Sequence, residues 1–160
     1  MKNQKGFATL EIIFVVAIIS TLTFIAIPKI EKVLDAIFLD YEMKKFCSEL
    51  DLAASLNRSA SFDPTIFENK IPETKGEIFL EINNSDSYQL KKNGKDFREK
   101  HFLNFGIKIN YSPESLKHIS FDGEGKSSSS GKIILTSRLG KTAEIIFDSV
   151  GRRRGNKNVE

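Results

Sequence analysis

Ile12 to Ile27 reads IIFVVAIISTLTFIAI, and no charge interrupts it. Nothing else in this chain restricts its fold as strongly. A helix that crosses a bilayer needs about 20 largely apolar residues, with a lower limit near 17. Extending the stretch back to Phe7 brings it into that range, but only by including Glu11. After Lys29 the composition becomes that of a water-soluble protein, rich in Lys, Glu, Ser and Asn. The 160 residues therefore divide into a membrane segment and a water-facing head large enough for one modest core.

Three plain readings of the apolar stretch compete. A cleaved secretory signal ends in a small-residue site, whereas this run ends Ala26-Ile27-Pro28-Lys29-Ile30. A buried core helix needs a domain large enough to surround it, and the remainder of the chain is too small. A signal anchor accounts for the hydrophobicity and for Lys2 and Lys5, but gives Glu11 no reason to be there. A carboxylate in the membrane core costs roughly 2.5–3.5 kcal/mol on insertion scales and less near an interface. Such a residue calls for a partner and a function.

Lys5-Gly6-Phe7-Ala8-Thr9-Leu10-Glu11, followed by the apolar run, resembles the class III signal of type IV pilins and pseudopilins. The resemblance rests on residues 1–30. It implies that a prepilin peptidase cuts after Gly6 and that the new N-terminal Phe7 is N-methylated. Glu11 would then be fifth in the mature chain, in its first turn, where the helix dipole favours a negative charge. Its carboxylate would pair with the Phe7 amine of a neighbouring subunit and set the register between packed helices. Lys2 and Lys5 would hold the leader in the cytoplasm and place the head on the far side of the inner membrane. Many members read Phe-Thr-Leu-Ile-Glu where this chain reads Phe-Ala-Thr-Leu-Glu, with the glutamate at the same offset. Pro28 falls where the family commonly carries a helix-breaking proline.

Beyond Pro28, Ile30, Val33, Leu34, Ile37 and Tyr41 recur at helical spacing, and Phe38, Phe46, Leu50, Ala53 and Ala54 extend that apolar face with some drift. Lys29, Glu31, Lys32, Asp35, Asp40, Glu42, Lys44 and Lys45 fall on the other side. Cys47, the single cysteine, reads as a small buried residue of the helix and excludes an internal disulfide. Pro64 sets a limit that ends the helix between Leu56 and Asp63. Strand patterns follow at 77–82, 87–91, 107–111, 118–122, 132–136 and 143–148, with Asn93-Gly94 and Ser137 to Lys141 as hairpin connections. Ser112-Pro113-Glu114 caps a short turn, and residues 123–130 form a flexible loop. The expected class is α+β: one long N-terminal helix, half membrane-spanning and half amphipathic, packed on an antiparallel sheet, as in the pilin fold. The expected divisions are a leader at 1–6, a filament-core helix at 7–28, an amphipathic half at 29–62, a β-rich head at 63–150 and a basic tail at 151–160.

No catalytic pattern is present. His101 and His118 lack metal-ligand spacing to Cys47 or to a carboxylate, and Gly123-x-Gly125 is too short for a phosphate loop. No enzyme, cofactor or metal is expected. Residues 118–154, ending in EIIFDSVGRRR, resemble the GspH/FimT group of minor pseudopilins and minor pilins. The resemblance implies a subunit of a type IV pilus, a competence pilus or a type II secretion pseudopilus. Its partners would be other pilin subunits, the inner-membrane assembly platform and membrane lipid. Arg152, Arg153, Arg154 and Lys157 form a glycine-flanked basic tail. Arginine forks fit phosphate oxygens, so an alternative function is binding of double-stranded DNA during uptake, with Lys126, Lys132, Arg138 and Lys141 as further cations. A plain membrane-anchored domain is the remaining alternative.

Overall fold

The computed structural model describes residues 4–60, 78–148 and 153–158. Its first element is α1, Gln4–Ala60, 57 residues long. The chain divides into two compact units, Met1–Asp35 and Ala36–Glu160.

The first unit is the N-terminal part of α1. Its side chains from Thr9 to Leu34 are exposed, and its most apolar window has a mean hydropathy of 2.6 with none of it buried. Helical backbone satisfies its own polar groups, as a segment in lipid must. The side chains do the same: Ser20, Thr21 and Thr23 donate to the carbonyls of Val16, Ala17 and Ile19 at 2.7, 3.0 and 2.8 Å. One helix of this chain is thus long and apolar enough to cross a membrane. Pro28 lies inside α1 and does not end it, although its missing N–H deprives the Phe24 carbonyl of its helical donor.

The second unit is α+β. The rest of α1 buries Leu39, Glu42, Phe46, Leu50, Ala53 and Asn57, a stripe at spacings of three and four. Apolar periodicity selects only part of this stripe, Phe46, Leu50 and Ala53. Ile30, Val33, Leu34, Ile37 and Tyr41 are exposed, whereas Asp35 and Glu42, expected toward solvent, are buried. Cys47 is half-buried against the core. The helix ends at Ala60, within the expected limits; Pro64 lies outside the described residues.

One antiparallel sheet has β1 (Ile78–Asn84) between β2 (Ser87–Lys92) and β6 (His118–Ser120). β3 (Lys95–Asp96) and β4 (His101–Phe102) both pair with β2. Leu80 faces Leu90 and Ile119 across the ladders, so alternate residues of β1 enter the core. Asn93 and Gly94 join β2 to β3 with φ of +51° and +74°, the two positive values of a type I′ turn. The second sheet runs β5 (Lys108–Ser112), β7 (Gly131–Thr136), β8 (Thr142–Phe147) and β9 (Arg153–Asn158). Between β5 and β6 lies a 3-10 turn, Glu114–Lys117. Leu39, Phe46, Leu50 and Ala53 of α1 share one core with residues of both sheets, among them Leu80, Ile109, Ile133 and Ile145.

The basic C-terminus departs from expectation. Residues 153–158 are not a free tail: they pair with β8 from Phe147↔Arg153 to Thr142↔Asn158. A strand with no apolar alternation pairs here through the backbone ladder, which needs only an open neighbour.

Candidate functional site

The N-terminal motif lies on α1. Gly6 and Phe7 are within the helix, and Phe7 is exposed. Glu11 follows Phe7 by four residues, one turn along the same face. The first turn of α1 holds no acidic residue, so Glu11 lies beyond the turn where the helix dipole favours a negative charge. Glu11 is exposed, and among the described residues no cation is paired with it.

The basic residues of the C-terminal end are split. Arg152 lies outside the described residues. In the register of β9, Arg153 and Lys157 pair with the buried Phe147 and Ala143, whereas Arg154 pairs with Ile146 and is exposed. Adjacent strand residues belong to opposite faces, so Arg154 lies on the other face of β9 from Arg153 and Lys157. Lys132 also pairs with Ile146, which puts Lys132, Ile146 and Arg154 in one cross-strand row. The Lys132 ammonium is 3.4 Å from the Glu144 carboxylate. Arg138 and Lys141 lie at the opposite end of that sheet, in the β7–β8 turn, and Lys126 is paired with Glu124.

A polar cluster that sequence reading missed joins α1 to β4. The Glu42 carboxylate is fully buried and accepts from His101 Nε2 at 2.8 Å, from the Asn104 side-chain amide at 2.8 Å and from the Asn104 backbone N–H at 3.2 Å. Lys45 Nζ is 3.0 Å from His101 Nδ1. An ammonium only donates, so Nδ1 accepts and the ring proton sits on Nε2. His101 therefore does meet a carboxylate, across 59 residues of sequence that no local spacing could reveal. His118 likewise comes within 3.7 Å of Glu81.

The His101 ring also meets the edge of Tyr88, with centroids 5.0 Å apart. Burial, and then the charges of Glu42 and Glu49, push the Tyr88 hydroxyl far above its ordinary titration range. Its oxygen is buried with no hydrogen-bond partner among the described residues. Asn57 makes a second clamp, donating to the Ile78 carbonyl at 2.6 Å and accepting its N–H at 3.0 Å. That amide finishes the edge of β1 as a neighbouring strand would. The Glu42 and Asn57 contacts face inward and tie helix to sheet.

Among the described residues, no group of three His, Cys, Asp or Glu side chains is placed to hold a metal ion. No family model matches the chain, and no curated protein or solved structure matches it.

Proposed function

We propose that this chain is a minor pilin or pseudopilin, a non-enzymatic subunit that helps to initiate or cap a type IV-like filament. The observation that carries this reading is Glu11, the one carboxylate in the apolar, exposed stretch of α1 from Phe7 to Ile27, one turn beyond the Gly6-Phe7 junction. A lone carboxylate is costly in lipid and is retained there for a partner; the free amine of Phe7 on a neighbouring subunit is such a partner. The α+β second unit behind a long apolar helix agrees with a pilin fold. Assembly would bury the apolar helix against other subunits, with the second unit on the far side of the inner membrane.

Mass spectrometry of protein extracted from membranes tests the reading. A mature chain that begins at N-methylated Phe7 is expected. An intact Met1 would leave a plain membrane-anchored domain. Nucleic-acid binding is the second reading, carried by the row of Lys132, Ile146 and Arg154 rather than by a flexible tail.

A further inference from the structure

His101 has a different partner on each ring nitrogen. Nε2 donates to the Glu42 carboxylate at 2.8 Å, and Nδ1 accepts from the Lys45 ammonium at 3.0 Å. Both partners belong to α1, three residues apart on one face. Only a neutral imidazole can serve both, because it has one N–H and one lone pair, whereas the imidazolium has two N–H groups. Protonation would keep the Glu42 contact and turn it into an ion pair. It would also set a positive donor against the Lys45 ammonium.

Charge balance runs the same way. The Glu42 side chain is fully buried, and the ring beside it is 18% exposed. While the ring is neutral, the positive charge facing Glu42 across it is that of Lys45. Once the ring is charged, the counter-charge sits on His101 itself. The other groups around the ring replace neither cation. Tyr88 of β2 meets it edge-on, with centroids 5.0 Å apart. The titratable groups that act on Tyr88 are Glu42, Glu49, Tyr41 and Cys47, all of α1. Beside His101 in sequence, Lys100 lies over the Phe102 ring, 5.0 Å from its centroid.

Glu49 gives Lys45 a second place to bind. It is four residues beyond Lys45, one turn along the same face of α1. Its Oε1 accepts from Arg98 at 2.8 Å, whereas its Oε2 is buried with no hydrogen-bond partner among the described residues. A buried carboxylate oxygen without a donor is destabilising, and an ammonium released one turn away can supply that donor.

We propose that protonation of His101 transfers Lys45 from the imidazole to Glu49. The contact between α1 and β4 is then a two-position device, with Lys45 on His101 when the ring is neutral and on Glu49 when it is charged.

Double-mutant cycles in denaturant unfolding of the full-length chain in detergent follow the move. Lys45→Met removes the ammonium and keeps the apolar stem, and Glu49→Gln removes the charge of the second acceptor. His101→Gln can still donate to Glu42 but takes up no proton. At about pH 8, above the range where histidines ordinarily titrate, Lys45 and His101 should be coupled about fivefold in the unfolding equilibrium constant, and Lys45 and Glu49 not at all. At about pH 5, below that range, the first coupling should vanish and the second should appear, at about twofold. In the His101→Gln background the Lys45–Glu49 coupling should be the same at both values. Imidazole nitrogen signals of the unsubstituted chain give an independent check, with one ring N–H at the higher pH and two at the lower. Equal Lys45–His101 coupling at both values overturns the device, and so does a ring that keeps a single N–H until the fold is lost in acid. Loss of that coupling with no gain at Glu49 means that Lys45 is released to water, and overturns the transfer.

Discussion

His101 donates its Nε2 proton to the fully buried carboxylate of Glu42 at 2.8 Å, joining β4 to α1. Removing one partner of such a pair strands a buried charge, which costs more than the bond itself contributes. His101→Ala should therefore lower stability by about 2–3 kcal/mol in denaturant unfolding of the full chain in detergent. Glu42→Gln, which takes away the charge and keeps the size, should cost about half as much. In the double variant the two losses should fall short of their sum by about 1 kcal/mol. Simple additivity would mean that the contact seen here is not energetically coupled.

Tyr88 gives a pH prediction. Its folded titration point is raised above the ordinary value of 10.0 by burial and by the nearby Glu42 and Glu49 charges. A raised value in the folded state means stability that is complete below the unfolded value and falls as pH rises past it. Unfolding should therefore begin above about pH 10, as the unfolded chain releases a proton that the folded chain retains. In an ultraviolet titration, Tyr88 should ionise only as the fold is lost. Tyr88→Phe should abolish that late step and stabilise the protein by about 1 kcal/mol, since the hydroxyl is buried without a partner. Ionisation of Tyr88 before any loss of structure would contradict this.

Two glycines at positive φ should respond differently to the same change. Gly94 has φ +74° with open space where a Cβ would sit, so Gly94→Ala meets only the backbone cost, about 1 kcal/mol. Gly131 has φ +147°, and a Cβ there runs into the Ser112 carbonyl oxygen, the Pro113 ring and the Leu116 side chain. Backbone cannot give way as a surface side chain can. Gly131→Ala should cost about 3 kcal/mol or more. Thermal melting of the two variants side by side checks the order.

The parts legible in sequence were those with a local period. Alternation marks Ile78, Leu80 and Ile82, and again Ile133 and Leu135, because each strand has one face in the core. Asn93-Gly94 announces its turn through two residues that tolerate positive φ. Beyond Phe46, Leu50 and Ala53, the buried face of α1 was hidden for the opposite reason. It includes Glu42 and Asn57, whose burial is permitted by His101, Asn104 and Ile78, partners far away in the chain. Meanwhile Ile30, Ile37 and Tyr41 keep helical spacing while remaining exposed. β9 was hidden because RRGNKN has no apolar alternation; it is a strand through β8's open edge. Glu11 was legible because a carboxylate in an apolar run is conspicuous whatever surrounds it.

Under the proposed filament reading, Glu11 separates processing from assembly. Glu11→Gln removes the charge that would pair with a neighbour's Phe7 amine, yet leaves the Gly6-Phe7 bond unchanged. Cleavage should persist, while recovery of the chain in sheared filaments should fall by about tenfold or more. Equal recovery of variant and wild type would remove the registration role of this carboxylate.

The last prediction concerns the basic end, where strand register decides what DNA would meet. A flexible tail presenting Arg152, Arg153, Arg154 and Lys157 together would release about four counterions, giving a log-affinity slope against log salt near −3.6. The row of Lys132 and Arg154 offers two cations on one face, for a slope of about −1.8. Fluorescence anisotropy of labelled duplex DNA with the full-length chain, over a salt series, distinguishes the two. Lys132→Ala and Arg154→Ala should each reduce the magnitude of the shallow slope by about 0.9. A steep slope that only the triple change of Arg152, Arg153 and Arg154 to Ala abolishes would mean that β9 leaves its sheet to bind. Absence of binding at low salt would eliminate the nucleic-acid reading, since neither arrangement then has an electrostatic footprint, and would leave the filament-subunit proposal alone.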